Sequence, residues 1–325
     1  MIAAVVTRYG PPDVVELQER PTARPGPGEL LVRVHASTVT AGDWRLRSGD
    51  VPRGFGLLIR LALGWRGPRH AVLGAEIAGE VAACGEGVTG FAVGDRVFAF
   101  ADTRLGGHAE YVVLKADGAV APIAPAVSDD TAAALPFGGT TALYYLRDRG
   151  AIAKGERVLV NGASGNVGVA AIQLARHFGA DVTAVTSAAN LEFVRALGAE
   201  RAVDYAVTDF AAEGRRYDII LDTVGNCPYA RARHALAEGG RLLLVATDLA
   251  GTLGAALRPR RAAGHRVVGG VATGSREALE LLMDLAARGV LTPPIDRRYP
   301  LARIREAHAY VETRRKRGTV LVTVP

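Results

Sequence analysis

Cysteine is nearly missing from the chain: Cys84 and Cys227 are the only two in 325 residues. They stand far apart, with no partner at metal-ligand or redox-motif spacing, which excludes a disulfide framework, a C-x-x-C pair and a cysteine-rich zinc lobe. Both are expected as small buried residues. Long apolar runs are missing too. The longest, Phe55–Trp65, is broken by Arg60 and falls well short of the roughly 20 residues that span a bilayer, so no membrane helix is expected. The first residues, Met1–Arg8, carry no basic leader or signal core and read as a β-strand, which predicts a cytoplasmic protein. Aromatic residues do not interleave the basic clusters Arg258-Pro259-Arg260-Arg261, Arg297-Arg298 and Arg314-Arg315-Lys316-Arg317. The base-stacking pattern of a nucleic-acid surface is therefore lacking, and the clusters read as solvated surface.

What is present is the balance of a globular protein, 49% apolar and 22% charged. A length of 325 residues leaves room for two cores. The formal charge of +6 favours anionic partners, whether nucleic acid, a membrane surface or a phosphorylated cofactor, and does not choose among them.

The first part of the chain has short β-type runs punctuated by Gly and Pro, clearest at Leu30–His35, Ile77–Val81 and Arg96–Phe100. The texture changes near residue 123. A helical stretch over Ser128–Asp148 leads into alternating strands and helices, the pattern of a parallel sheet. Strands are predicted at Arg157–Asn161, Asp181–Thr186, Arg201–Asp204, Ile219–Asp222, Arg241–Ala246 and Val267–Val271. Helices at Glu277–Arg288 and Leu301–Glu312 and a strand at Gly318–Val324 follow. This is a doubly wound α/β order beside a second, mostly β region.

One motif carries chemistry. Val158-Leu159-Val160-Asn161-Gly162-Ala163-Ser164-Gly165-Asn166-Val167-Gly168 runs from a strand through a Gly-rich turn into the helix Val169–Phe178. A dinucleotide site needs this arrangement: small residues let the backbone turn sharply and approach a pyrophosphate, whose charge meets free N–H groups and the helix dipole. Ala163, Gly165 and Gly168 take the three fingerprint places. At the end of the second strand, where an acid would bind the ribose 2′-hydroxyl of NAD, the chain has Thr186-Ser187-Ala188-Ala189-Asn190. With no carboxylate there, and with Ser187 and Asn190 as donors, NADPH (NADP+) is the expected cofactor.

These residues, with Pro27–Val34, Leu73–Val81, Val93–Val97 and Gly107–Tyr111, resemble the medium-chain dehydrogenase/reductase superfamily, in its zinc-independent quinone oxidoreductase and enoyl reductase branch. The resemblance covers nearly the whole chain. It implies a GroES-like, mostly β catalytic domain made of residues 1–122 and 273–325, flanking a Rossmann NADP(H)-binding domain at 123–272, with the cofactor in the cleft. It also implies a homodimer joined near Val267–Val271.

The departures from zinc-dependent relatives are informative, because a catalytic zinc needs Cys, His or carboxylate ligands. This chain has Thr40 where they place the first Cys, and Ala75, before Glu76, at their His position. Without a metal to polarise a carbonyl, hydride transfer suits quinones and α,β-unsaturated carbonyls, which delocalise the incoming charge. By resemblance, Thr40 and Asp43 stand where relatives carry an Asn-x-x-Asp pair, and Asp43 alone is kept. Thr140, Tyr205, Val224, Val245-Ala246-Thr247, Gly270-Val271 and Arg317 are carried over as cofactor contacts in the same way. Local alternatives stay open: Asp43 and Thr140 also fit helix caps, and the strand-end residues fit sheet packing. Trp44 and the Phe55–Trp65 segment suit a wall for a flat small-molecule acceptor, and equally the packing of a short helix against the catalytic domain. His108 and Tyr111 read as polar residues at a sheet edge, and no general acid is assigned. Two other classes stand beside this reading: a non-redox enzyme that uses NADP structurally, and a nucleic-acid-binding protein.

Overall fold

The computed structural model describes residues 1–50, 60–61, 64–101, 104–246, 251, 254–255 and 262–325. Among them the strands, in chain order, are β1 (Ile2–Val6), β2 (Val15–Glu19), β3 (Glu29–Val39), β4 (Glu76–Cys84), β5 (Arg96–Phe100), β6 (Tyr111–Lys115) and β7 (Val120–Pro122). There follow β8 (Arg157–Asn161), β9 (Asp181–Thr186), β10 (Arg201–Asp204), β11 (Tyr217–Asp222), β12 (Leu236–Leu244), β13 (Arg266–Gly269), β14 (Ile295–Pro300) and β15 (Thr319–Thr323). Three sheets result, one of them the antiparallel ribbon β1-β2.

The mostly antiparallel sheet runs β14-β15-β3-β4-β5-β7, with β6 also pairing β3. Strand β3 explains why it holds. Leu30, Val32 and Val34 are fully buried, while Leu31, Arg33 and His35 alternate outward, the period-2 pattern that fixes register. Late strand β15 lies antiparallel to β3, with Val322 opposite Ser37. The end of the chain therefore completes a sheet begun near its start.

The parallel sheet runs β10-β9-β8-β11-β12-β13. From β8 the chain winds outward through β9 to β10, returns to the other side of β8 as β11, and winds outward again. That reversal between β8 and β11 is a topological switch point, where such sheets bind ligands beyond the carboxyl ends of their strands. The central strands β8 and β11 carry near-continuous apolar runs, as strands covered on both faces require. Val158, Leu159, Val160, Ile219, Ile220 and Leu221 are all fully buried. The helix Asn166–His177 buries Val167, Val169, Ala170, Ala171, Ile172, Leu174 and Ala175, each large apolar side chain worth roughly 1.5–3 kcal/mol.

The chain divides into two compact units, the first holding the described residues up to Thr140 and those from Thr273 onward, the second Thr141–Ala272. The division falls later than residue 123, because the helix Asp129–Ala134 packs on β3 and β4. The helical stretch expected over Ser128–Asp148 is three pieces: Asp129–Ala134, Pro136–Leu143 and a π-helical turn at Tyr144–Arg149. Cys84 corrects the expectation of burial. It is the last residue of β4, past the end of that strand's buried stretch, and is exposed. Cys227 is buried, which pushes its thiol up to about 12.

Candidate active site

The Gly-rich turn closes β8 onto the helix Asn166–His177. Gly162 takes φ +84°, a left-handed conformation that glycine adopts freely, and a Cβ there would stand 2.5 Å from Val224 Cγ2. A Cβ on Gly168 would meet Ala163 Cα at 2.7 Å, so the helix can pack this closely only with glycine. Gly165 is different: a Cβ would find only Gly162 O, at 3.8 Å. Gly165 is also the helix N-cap and offers no side-chain cap. The start of a twelve-residue helix, its backbone N–H groups and positive dipole end, is thus approachable at Ser164 and Gly165, with Asn166 and Val167 in its first turn. This is the cradle a pyrophosphate needs.

On the next strand, Thr186 Oγ1 lies 3.2 Å from Ser164 Oγ and ties the end of β9 to the turn. Ser187 follows, half-buried, with Asn190 Nδ2 3.2 Å from its Oγ. Asn190 Oδ1 is buried without a partner among the described residues. Tyr205 reaches the same place from β10, its N–H donating to Thr186 O at 3.1 Å, with its side chain 64% exposed. Parallel pairing of Asp204 with Thr186 brings these residues together from far apart in sequence. No carboxylate occupies the position of Ser187.

Further along the edge, Val224 and Val271 are exposed, at 52% and 80%, where large apolar residues are usually covered. Val245 and Ala246 are half-buried at the end of β12, and Gly270 at the end of β13 has φ +147°. Between them lies a group that sequence reasoning missed. Asp222 is fully buried at the end of β11 and accepts from Val224 N, Gly225 N and Cys227 N at 3.1, 3.1 and 2.9 Å, and from Asn161 Nδ2 at 2.9 Å. It fixes the loop that carries Val224. An acid at the carboxyl end of a buried strand was the available signal.

In the first unit, Thr40 caps the helix Ala41–Ser48. Its Oγ1 accepts from Gly42 N and Asp43 N, while Asp43 Oδ2 accepts from Thr40 N at 2.8 Å and from Thr40 Oγ1 at 2.6 Å. Asp43 Oδ1 also accepts from Gly74 N at 2.9 Å. Both side chains are buried, and this reciprocal capping box accounts for the pair locally. Trp44 is buried beneath the guanidinium of Arg314, 4.7 Å from the ring centroid, and its Nε1 has no partner among the described residues.

Beside them is Glu76, completely buried, accepting from Thr38 Oγ1 and from Phe137 N at 2.6 Å. Burial pushes its carboxyl up to about 7, opposed by those two hydrogen bonds. Lys316, whose Nζ donates to Gly318 O at 2.6 Å, is brought down to about 8 by burial. His108 is not at a sheet edge: it is buried, its Nε2 lies 2.8 Å from Thr38 O, and it meets His308 edge-on at 5.5 Å. Its neighbours come from β3 and the helix Ile304–Glu312, which local sequence could not reveal. Burial, then His108 and Arg47, holds His308 well below the usual imidazole range.

Thr140 is buried with its hydroxyl donating to Pro136 O at 2.6 Å, one turn back in its own helix. Arg317 is exposed, and its backbone N–H donates to Asp296 Oδ2 at 2.9 Å. Thr247, most of Phe55–Trp65 and the cluster Arg258–Arg261 lie outside the described residues. Among the described residues no group of three His, Cys, Asp or Glu side chains could hold a metal ion, and no helix is long and apolar enough to cross a membrane.

Two family descriptions match this chain: an alcohol dehydrogenase GroES-like domain over residues 26–125, and a zinc-binding dehydrogenase over residues 197–322. A quinone oxidoreductase of Pseudomonas aeruginosa is 30% identical over 329 residues, covering 97% of each chain. Polyketide synthase GfsB of Streptomyces halstedii is 34% identical over 280 residues, 82% of this chain but 5% of that much longer one. A mycobacterial protein solved in complex with NADPH superposes with a TM-score of 0.82 at 28% identity, covering 99% of this chain and 100% of that one. Fold, turn and relatives agree: the chain belongs to the medium-chain dehydrogenase/reductase superfamily, in its quinone oxidoreductase branch. It is a nicotinamide-dependent oxidoreductase with a GroES-like domain and a Rossmann-like domain.

Proposed function

We propose that this protein transfers hydride from NADPH to a quinone, or to the C=C of an α,β-unsaturated carbonyl, without zinc. The observation that carries the reading is the carboxyl edge of the parallel sheet. There an uncapped helix start adjoins a strand end that presents Ser187, Asn190 and Tyr205 in place of an acid. The turn Ala163–Val167 would hold the pyrophosphate, and Ser187, Asn190 and Tyr205 the 2′-phosphate, which a carboxylate would repel. Val224, Val245, Ala246, Gly270 and Val271 would flank the nicotinamide. Bound there, the cofactor supplies a hydride.

The reading as zinc-independent is supported by the donor set, since Thr40 and Ala75 replace the Cys and His that zinc-dependent relatives use. An acceptor then has to delocalise the incoming charge itself, which conjugated enones and quinones do and isolated ketones do not. Likeness to part of a polyketide synthase supports the enoyl variant of the same chemistry. We also place the homodimer contact at β13, which among the described residues is an edge strand of the parallel sheet; sedimentation would report whether the protein is a dimer.

The deciding experiment offers NADPH or NADH with a panel of quinones, enones, enals and saturated ketones. The expected result is binding of NADPH at least about tenfold tighter than NADH, a difference of about 1.4 kcal/mol, with hydroquinones or saturated carbonyls as products. Allylic alcohols, preferred turnover of simple ketones, or stoichiometric zinc lost together with activity on chelation would overturn it. NADPH bound but never consumed would return the non-redox reading.

A further inference from the structure

The ladder between β12 and β13 ends at the pair Leu244–Gly269. Beyond it the chain continues outside the ladder, as Val245-Ala246 after β12 and as Gly270-Val271 after β13. At that point a side chain from elsewhere takes over. The Oη of Tyr145 lies 2.9 Å from Leu244 O and 2.6 Å from Gly270 O, spanning the gap between the strand ends. Tyr145 sits in the π-helical turn Tyr144–Arg149, a rare local geometry that recurs at functional sites. Tyr144 packs edge-on against its ring at 5.1 Å. Tyr145 is 1% exposed.

We infer that Tyr145 is a positioning residue for hydride transfer, its one hydroxyl proton shared between Leu244 O and Gly270 O so that the two strand ends beside the nicotinamide keep a fixed separation. The inference rests on the reading above, that Val245, Ala246 and Val271 flank that ring. Burial raises the phenol, so it stays protonated and remains a donor throughout the working range. Gly270 contributes to the same arrangement. It holds φ +147°, and a Cβ there would stand 3.3 Å from Tyr144 Oη, a tight contact beside the clamp. Bound to those two carbonyls, the hydroxyl acts through the strand ends and sets where Val245 and Val271 stand.

The test separates the two halves of the cofactor. Tyr145→Phe keeps the ring and removes the donor. Its affinity for NADPH should fall about fivefold or more, while its affinity for 2′,5′-ADP, which lacks the nicotinamide, stays within about twofold. The emission of bound NADPH should shift toward that of the free cofactor, and kcat should fall more than the KM for the acceptor rises. General loosening of the fold would instead weaken both ligands together, and that result would overturn the inference, as would wild-type values for the ratio, the emission and kcat. Val271→Trp is the companion variant. If it changes the NADPH to 2′,5′-ADP ratio while Tyr145→Phe does not, the clamp fails and the nicotinamide placement stands. If neither changes it, the placement has failed and the clamp with it. Should Tyr145→Phe not fold, 4-aminophenylalanine and 4-methylphenylalanine at position 145, similar in size, repeat the comparison with and without a donor. The inference expects only the amino form to keep the wild-type ratio.

Discussion

The carboxyl edge of the parallel sheet and the buried cluster around Thr40 are built on different terms. The edge is made of backbone: a left-handed glycine, a helix start without a cap, and exposed valines beyond the last paired residues. The cluster is made of side chains bound to one another, Thr40 with Asp43, Thr38 with Glu76, and Arg47 with Glu312 at 2.7 Å. A backbone site tolerates most side-chain changes and fails where a Cβ cannot fit. A cluster of buried ionisable groups tolerates shape better than charge, and so answers to pH.

The largest expected effect tests the first half of that contrast. Gly168→Val puts a branched side chain against Ala163, where a Cβ alone stands 2.7 Å from Cα. The loss of stability should be on the order of 4 kcal/mol, with NADPH binding abolished; denaturant unfolding and fluorescence titration measure both.

Next comes pH. The Glu76 carboxyl is raised from 4.5 to about 7, so the native state holds its proton more tightly than the unfolded chain does. Its contribution is fully present below pH 4.5 and is lost as pH rises through 7, about 3 kcal/mol in all. His308 works in the opposite sense. Its pKa is depressed below 6.5, so its contribution is present above that value and lost as pH falls. Glu76→Gln, which mimics the neutral carboxyl, should leave the His308 trend alone: Tm then falls steadily on acidification below pH 6.5. A variant whose Tm profile parallels the wild type would show that Glu76 does not titrate in this window.

A smaller effect, about 1.4 kcal/mol, is expected for Ser187→Ala combined with Tyr205→Phe. NADPH should bind about tenfold more weakly and NADH nearly as before. Equal losses for both would remove these residues from the 2′-phosphate. Smallest is Thr40→Ala, which removes the capping hydroxyl and should cost about 1 kcal/mol in urea unfolding, with Thr40→Ser restoring it.

The same contrast governs what the sequence made legible. The parallel-sheet strands Arg157–Asn161, Asp181–Thr186 and Arg201–Asp204 occur at their predicted bounds; the first two are buried over nearly their whole length and are closed by Gly or a polar residue, a pattern that sequence shows directly. The turn was readable for a related reason, since glycine spacing records backbone geometry directly. Glu76, His308, Arg47 and Tyr145 were not readable. Each acquires its partners from elements remote in sequence: Glu312 for Arg47, Phe137 for Glu76, Leu244 and Gly270 for Tyr145. Nothing local to Tyr145 announces a π-helical turn. Strand β14 also escaped notice, because Ile295–Pro300 reads Ile-Asp-Arg-Arg-Tyr-Pro, with too few apolar residues to show a period.

Strand β15 sits inside its sheet between β14 and β3, although it follows every other described strand in sequence. During synthesis the unit Thr141–Ala272 can close once it has left the ribosome, whereas Ala36–Val39, the part of the β3 edge that β6 does not pair, waits for a segment some 280 residues downstream (from Val39 to Thr319). Contacts of that sequence separation form slowly. The parallel sheet is therefore expected to close before the sheet that starts earlier in sequence, and until β15 arrives Ala36–Val39 present unpaired backbone, an aggregation hazard. Pulse-labelled hydrogen exchange during refolding should find β8 and β11 protected before β3 and β15.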